Sequence, residues 1–328
     1  MERWMKKVCI ISKFPPVQGG IASRAYWRVR KMLDEGTKVA VVTSTGCGQL
    51  ELAGTSTSYL IKNCDVLSSI PKSQSELFSY HDVDRLDVPW RVQESPDYFE
   101  RLLSQTLIIL QEDEWDFIES DYLTPYGIVG HFASQITGIP HIVRHGASEI
   151  RKYLNHELYT PILCEVLKGA EVVITDDSSH IALRNIVERK YEIDPIYIPY
   201  RKAFFLDETQ KLKRDITYSY IGKINYHWRY KALDKIIEKY ISEIETNDMK
   251  FFAQGKGVID FLAWAKKTYS VDIHIESFIC PWDIPSLLSR VDTLLVPTKE
   301  SQENEWGIIN TSMLSKEAEL MGCNIQEI

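Results

Sequence analysis

The chain alternates short apolar segments with longer segments of helical periodicity, and this alternation limits its fold more than any other feature. Val8 to Ser12 is apolar, and a loop containing proline and glycine leads from it to a helical apolar stripe, Ala22 to Leu33. Lys38 to Thr43 is the next apolar segment. Because a helical crossover between two buried strands returns the chain in the same direction, these strands should be parallel. The sequence therefore predicts a Rossmann-like α/β opening.

Two series of alternating strands and helices follow one another along the chain, which predicts two domains. At 328 residues the chain exceeds the usual size of one domain. Further strands of the first series are predicted at Asp116 to Glu119, His141 to Arg144 and Glu171 to Thr175. Tyr200 to Asp215 is polar and charged, as linkers are. The predicted domains are residues 1–199 and 200–328.

The second series begins with the strand Tyr218 to Ile221, which we expect Gly222 to stop. Apolar residues then recur at helical spacing from Leu233 to Ile244. Three more strands are predicted, at Phe251 to Ala253, Val271 to Ile275 and Thr293 to Val296. Each strand leads into a small or polar turn, and ligands of open α/β sheets bind at these carboxyl ends.

Composition excludes several classes of protein. The 38 Lys and Arg against 46 Asp and Glu give a net charge of -8, which argues against general nucleic-acid binding. The six cysteines form no Cys-x-x-Cys pair, so neither a zinc site nor a disulfide framework is predicted. No apolar run approaches the roughly 20 residues that span a bilayer. We expect a cytoplasmic protein whose membrane contact, if it has any, is peripheral.

Cations collect between the first strand and the first helix of the second series. Gly222, Lys223, Arg229 and Lys231 lie between the predicted strand and the apolar helix. Free backbone N–H groups at a helix start and the helix dipole add to such charges, so a diphosphate would fit. A solvated basic loop is the alternative reading of the same residues.

Two turns in the first series are further candidates. The loop Pro15 to Ile21 lacks the G-x-G-x-x-G spacing, which disfavours NAD, but Gly19 and Gly20 would let backbone N–H groups approach a ligand. A plain turn explains the glycine pair equally well. The second turn carries His145 and Glu149 at a predicted strand end, where a structural histidine is the alternative.

Short motifs recur in a fixed order along nearly the whole chain. The first half has Pro-Pro-x-x-Gly-Gly-Ile at Pro15 to Ile21, Pro-Tyr-Gly at Pro125 to Gly127, Gly-Ile-Pro at Gly138 to Pro140, and the His-Gly turn at His145. The second half has Gly222-Lys223, Lys231-Ala232-Leu233-Asp234, Gly255-x-Gly257, Trp306-Gly307 and Glu317-Ala318. In this order the motifs resemble the retaining GT-B glycosyltransferases of the family-four type, in which two Rossmann-like domains face a cleft.

The resemblance implies roles for particular residues. The residues implied for catalysis are His145, Lys223, Lys231 and Glu305. The residues implied for donor binding are Gly19, Gly20, Gly222, Arg229, Gly255, Trp306, Gly307 and Glu317. Tyr126 and Glu149 would lie on the acceptor side. No metal ligand and no cofactor is implied, since the nucleotide sugar is a co-substrate.

Several positions depart from the family pattern. Lys223 stands where the family usually has arginine, and it keeps the charge but loses bidentate recognition of oxygens. Arg229 is therefore a candidate to share its task. The two family carboxylates are eight positions apart, whereas Glu305 and Glu317 are twelve apart. The first carboxylate is accordingly left open among Glu300, Glu303 and Glu305. The last motif is Glu-Ala-x-x-x-Gly, from Glu317 to Gly322, and the family continues beyond it, so we expect a second domain shortened at its C-terminus.

The resemblance implies a metal-independent hexosyltransferase that uses a nucleotide sugar and a hydroxyl acceptor. Two alternatives stay open: a non-catalytic nucleotide-sugar-binding partner subunit of the same fold, and a sugar-nucleotide epimerase. No nucleic-acid partner is expected. Self-association is an open expectation, because a shortened second domain would leave apolar surface uncovered.

Overall fold

A computed structural model describes residues 5–17, 20–44, 64–83, 96–145, 159–174, 192–193, 214–224, 230–254, 257–276, 279–296 and 312–328. The chain divides into two compact units. The first comprises Met1–Leu60 and Asp65–Tyr197, and the second comprises Ile61–Cys64 and Ile198–Ile328. Each unit is built on one parallel sheet with helical connections.

Within the described residues, the sheet of the first unit has seven strands in the order β3-β2-β1-β4-β5-β6-β7. The strands are β1 Lys7–Ile11, β2 Lys38–Thr43, β3 Phe78–Asp82, β4 Phe117–Asp121, β5 His141–His145, β6 Glu171–Ile174 and β7 Glu192–Ile193. All these strand pairings are parallel. Strand β1 lies between β2 and β4, and its Val8 is opposite Val39 of β2 and Phe117 of β4. The predicted parallel opening is confirmed.

Among the described residues, the α-helices of the first unit are α1 Gly20–Asp34, α2 Pro96–Glu112, α3 Ile128–Thr137 and α4 Thr160–Gly169. Gly36 and Gly138 follow α1 and α3 at φ +77°, a left-handed backbone that glycine adopts without strain. Apolar side chains of α2 and α3 pack with Cys9, Ile11 and Ile118 in one core cluster. Because side chains alternate between the faces of a strand, Glu119 and Asp121 lie on the opposite face of β4 from Ile118.

The described part of the second unit forms a sheet of five parallel strands in the order β10-β9-β8-β11-β12. The strands are β8 Ile216–Lys223, β9 Met249–Gln254, β10 Ile275–Glu276, β11 Val291–Val296 and β12 Asn324–Glu327. The helices are α5 Tyr230–Glu245, α6 Val258–Tyr269, α7 Ile284–Arg290 and α8 Ser312–Leu320. The apolar stripe of α5 packs on β8 and β9 through buried residues such as Leu233, Ile237 and Phe251.

Two strand predictions in the second unit are corrected. Gly222 does not stop β8, since its backbone pairs with Ala253 of β9 and the ladder continues to Lys223 opposite Gln254. Of the predicted strand Val271 to Ile275, only Ile275 is a strand residue, in the pair Ile275–Glu276 beside β9. An apolar run there fills the core, where Val271 and Ile273 are buried, without forming a sheet ladder.

Candidate functional site

The strand order of each sheet reverses once, and the two reversals locate the candidate sites. In the first unit the chain builds β1, β2 and β3 outward on one side and then returns to place β4 against the other side of β1. In the second unit β8 lies in the same way between β9 and β11. Connections leave such neighbouring strands toward opposite faces, so a crevice opens at their carboxyl ends.

The predicted diphosphate-binding residues flank the reversal point of the second sheet. Gly222 and Lys223 are the last two residues of β8, and Lys231 is the second residue of α5. The structure describes the backbone of both lysines, and this backbone brackets one strand-to-helix connection. Arg229 lies outside the described residues. An anion placed there would meet a strand end and a helix start together.

The next strand-to-helix connection is tied to this one by a backbone hydrogen bond. The N–H of Gly257, the residue before α6, donates to the carbonyl of Ile224 at 3.0 Å. Gln254, which ends β9, lies opposite Lys223 in the ladder. The two connections that carry the predicted Gly-Lys and Gly-x-Gly motifs are therefore neighbours, although Gly255 itself lies outside the described residues.

Glu317 is a buried carboxylate in α8, the helix that leads to β12. Its side chain is 5% exposed, and its neighbour Ala318 belongs to the apolar core cluster of this unit. Removing a carboxylate from water is costly unless other groups compensate it, so a buried glutamate at a predicted ligand position is a functional candidate.

A charged network occupies the face of the first sheet that carries Glu119 and Asp121. Arg28 of α1 donates to both carboxylate oxygens of Asp121, with Nη1 to Oδ1 at 3.1 Å and Nη2 to Oδ2 at 2.8 Å. The hydroxyl of Ser12, directly after β1, donates to Oδ2 at 2.7 Å. Burial alone would raise the pKa of Asp121, but the charge and hydrogen bonds of Arg28, with Arg24 and Ser12, lower it. Asp121 is thus held ionised at the end of β4.

The same network reaches β5 through Glu119. Its Oε2 lies 3.1 Å from Nε of Arg28 and 3.3 Å from Nε of Arg144, the residue before His145. Arg28 and Glu119 are both less than a tenth exposed. Ion pairs buried this deeply fix geometry more reliably than they add stability. The ends of β1, β4 and β5 are in this way joined to α1.

Tyr122, the residue after β4, has a backbone conformation that L-residues rarely adopt, with φ 73° and ψ 147°. Such a conformation costs about 1–3 kcal/mol and persists only where its surroundings fix it. Here the N–H of Tyr122 donates to the carbonyl of Arg144 at 2.8 Å, and its own carbonyl accepts from Gly127 at 2.9 Å. A Cβ on Gly127 would lie 2.7 Å from that carbonyl oxygen, so the close approach needs glycine. Nζ of Lys13 lies 5.1 Å from the centre of the Tyr122 ring.

Of the other predicted site residues in the first unit, Gly20 and His145 lie at the ends of elements, and Tyr126 lies in the core. Gly20 begins α1 with open space where a Cβ would lie, and His145 ends β5 beside the end of β4. Tyr126 is 1% exposed and packs in the core cluster with Ile11 and Val129, a core position. Gly19 and Glu149 lie outside the described residues.

The acidic segment after β11 also lies outside the described residues. It carries Glu300, Glu303, Glu305, Trp306 and Gly307. Their roles remain predictions from the resemblance.

The sequence reasoning missed Lys13, Arg28, Asp121 and Tyr122. The signal for part of this set was present, because Phe-Ile-Glu-Ser-Asp places two carboxylates at alternate positions of a strand. A strand in a parallel sheet is covered on both faces, so these carboxylates require buried cations. Arg28 supplies one from within the apolar stripe of α1. The conformation of Tyr122 has no sequence signal.

Across the described ranges, His, Cys, Asp and Glu side chains do not gather in threes that could hold a metal ion. None of the helices in the part of the chain that the structure describes combines the length and hydropathy needed to cross a membrane.

Comparisons with known proteins give fold relatives only. No protein-family model matches the sequence, and no curated protein matches it. Sucrose-phosphate synthase from Thermosynechococcus elongatus is similar in structure, with TM-score 0.56 and 10% identity over 98% of this chain and 81% of that chain. WaaG, a glycosyltransferase involved in lipopolysaccharide biosynthesis, is similar with TM-score 0.53 and 16% identity over 98% and 80%.

A third similar structure is a UDP-GlcNAc 2-epimerase from Neisseria meningitidis bound to UDP-GlcNAc. Its TM-score is 0.52 at 12% identity, over 89% of this chain and 77% of that chain. Identities this low show a shared fold. The expected fold, two parallel-sheet α/β units of the GT-B glycosyltransferase type, is confirmed.

Proposed function

We propose that the protein is a retaining glycosyltransferase of the family-four type that transfers a hexose from a nucleoside-diphosphate sugar to a hydroxyl acceptor without a metal ion. The observation that supports this most directly is the position of the predicted diphosphate motifs. In a chain of glycosyltransferase fold, Gly222-Lys223 and Lys231 flank the strand reversal of the second sheet, where ligands of such sheets bind.

In the proposed reaction, the second unit has to stabilise the nucleoside diphosphate as it leaves. When the bond from the anomeric carbon to phosphate breaks, negative charge develops on the β-phosphate. Lys223 and Lys231, helped by Arg229 and by N–H groups at the start of α5, would stabilise that charge in place of a metal. The acceptor oxygen forms the new bond on the same face of the sugar, and its proton passes to the departing phosphate oxygen.

The remaining roles position the substrates. Glu317 would accept hydrogen bonds from the nucleotide ribose, and the acid near Trp306 would accept them from the donor sugar. His145, at the end of β5, would face that sugar near the acceptor. Holding the reactants in alignment supplies much of the rate in reactions of this kind.

A sugar-nucleotide epimerase is the second candidate, because UDP-GlcNAc 2-epimerases share the fold. An epimerase acts on the sugar nucleotide without a hydroxyl acceptor, whereas a transferase releases nucleoside diphosphate in proportion to added acceptor. Incubation with UDP, GDP and ADP sugars, with and without pooled hydroxyl acceptors, separates the two. Acceptor-dependent release with an unchanged anomeric configuration is expected. Nucleotide binding without any turnover would instead indicate a non-catalytic subunit.

Lys231→Ala tests the diphosphate site. Loss of a charge-assisted contact typically costs about 1.5–3 kcal/mol, so calorimetry should show nucleoside-diphosphate affinity falling about 10- to 100-fold. Lys235→Ala, which removes an exposed lysine one turn further along α5, is the matched control and should bind as the unmodified protein does. Equal affinities in the two variants would remove Lys231 from the site.

A further inference from the structure

The thiols of Cys64 and Cys280 share a hydrogen bond, although the two residues are far apart in the chain. Cys280 is buried, with 8% exposure, whereas Cys64 is partly exposed, and neither forms a disulfide in the structure. Both belong to the second unit, which includes the short segment Ile61–Cys64. The fold therefore places a partly exposed sulfur beside a buried one. The proposed sugar transfer uses neither.

A turn beside each cysteine holds its backbone in place. Asp65, directly after Cys64, accepts a hydrogen bond at its Oδ1 from the N–H of Leu67 at 3.1 Å. The carbonyl of Cys280 accepts from the N–H of Asp283 at 2.9 Å, in the turn that leads into α7. The meeting of the two sulfurs is thus a property of the fold rather than of two long side chains that happen to touch.

The contact also makes the pair reactive. The hydrogen bond with Cys64 lowers the pKa of the Cys280 thiol, while burial and the charge of Asp283 oppose this effect. A thiolate, and not a thiol, attacks the sulfur of a disulfide. Cys9 and Cys323 differ, since burial raises the pKa of Cys9 to about 12 and that of Cys323 to about 11. Those two thiols stay protonated and are expected to be inert.

We propose that Cys64 and Cys280 are a redox modification site, which forms a reversible internal disulfide by exchange with a small-molecule disulfide such as oxidised glutathione. Cys64 reacts first, because it is the more exposed of the two. Its thiolate attacks one sulfur of the small disulfide, and the other sulfur leaves as a thiolate. The Cys280 thiolate then attacks the sulfur of Cys64, and the second small thiolate leaves.

The exchange balances without any further reactant. The two cysteines lose two electrons and two protons, and the small disulfide gains both and becomes two thiols. The resulting bond holds the segment Ile61–Cys64 on the second unit, directly before the chain continues in the first unit at Asp65. The modification does not depend on the proposed sugar transfer.

Peptide mapping of the whole folded protein tests the site. The reduced protein is incubated with oxidised glutathione, the remaining thiols are alkylated in denaturant, and the digest is analysed by mass spectrometry. We expect one linked pair of peptides that contains Cys64 and Cys280 and that dithiothreitol separates. Cys9 and Cys323 should be recovered alkylated. A stable glutathione adduct on Cys64 with no link to Cys280, or a link from either residue to another cysteine, would overturn the proposal.

Single variants test the order of the two steps. Cys280→Ser should stop at the glutathione adduct on Cys64. In Cys64→Ser, the buried Cys280 thiol should be oxidised about 10-fold more slowly than in the unmodified protein, or slower still. Cys164→Ser is the matched control, because Cys164 is partly exposed as Cys64 is, and it should form the link at the unmodified rate. Equal oxidation of Cys280 with and without Cys64, or an equal loss of rate in Cys164→Ser, would contradict the assignment.

Thermal unfolding gives an independent readout. Because the bond joins residues far apart in the chain, it restricts the unfolded state, so the oxidised protein should unfold at a temperature several degrees above the reduced protein. Cys280→Ser treated in the same way should gain no stability. An unfolding temperature that stays constant or falls on oxidation would show that the native fold does not prepare the two sulfurs for the bond.

Discussion

His141 is a buried neutral histidine whose protonation couples stability to pH. It begins β5, is 4% exposed, and its Nε2 lies 2.7 Å from the Ser120 hydroxyl. Burial lowers the pKa of His141 to about 3, and nearby His131 adds to the shift. The unfolded chain titrates near the ordinary value of about 6.5. Between these values the unfolded state binds a proton that the folded state does not bind.

The free energy of unfolding should therefore be highest above pH 6.5 and fall as pH decreases toward 4.5. The decrease from one such group is limited to about 1.4 kcal/mol per pH unit. Urea titrations at half-unit steps of pH would measure it. His131, whose pKa burial also lowers although Glu165 opposes this, contributes in the same direction.

His141→Gln is the control for this pH dependence. Glutamine can still approach the Ser120 hydroxyl but carries no titrating group, so the variant should start from a lower stability and lose less of it on acidification. Parallel pH profiles for the two proteins would show that His141 does not contribute.

At the scale of elements, α5 is held by its apolar face rather than by its charges. Leu233, Ile236 and Ile237 are fully buried against β8 and β9, whereas Glu238 is exposed. Ile237→Ala should lower the free energy of unfolding by about 2–5 kcal/mol, because it leaves a cavity in a closely packed core. Glu238→Ala should change it by less than about 0.5 kcal/mol. Denaturant unfolding of both variants checks the contrast.

Elements with strong periodicity were predictable from the sequence, and short or edge elements were not. The apolar runs of β1, β2 and β8 locate strands of a parallel sheet that is covered on both faces, and the stripes of α1 and α5 locate helices, because one buried face gives a helix a period of 3.6. The edge strands β3 and β12 were missed. Phe78–Asp82 mixes polar and aromatic residues, and Asn324–Glu327 is mostly polar, so neither reads as a buried strand.

The residues of the candidate site were likewise predictable only where a local sequence pattern marks them. Motif spacing led to Gly222, Lys223 and Lys231, since local chain geometry alone places a strand end beside a helix start. Asp121 and Tyr122 depend on partners far away in the sequence, and the predicted strand ended at Glu119, two residues before Asp121. Only the ladder to β5 carries β4 onward to Asp121. Long-range contacts of this kind leave no local pattern.

For the whole molecule, ligand linkage gives the most direct prediction. A nucleoside diphosphate that binds only the folded protein should stabilise it by about 2.7 kcal/mol at 100 times its dissociation constant. A thermal-shift screen of UDP, GDP and ADP would identify the base. Under the proposed mechanism the shift and the turnover should both persist in EDTA. Activity that disappears with chelator and returns with Mg²⁺ would contradict metal independence.

Arg28 and Asp121 are 93 positions apart in the chain, and this distance bears on how the protein is synthesised. The ribosome releases Arg28 long before Asp121, so the guanidinium has to stay hydrated, since burying it unpaired would cost several kcal/mol. Stalled nascent chains ending before residue 121 should accordingly be cleaved by protease near α1, and chains extending well past it should resist. The first sheet can thus close over α1 only after the carboxylates that neutralise its arginine have emerged from the ribosome.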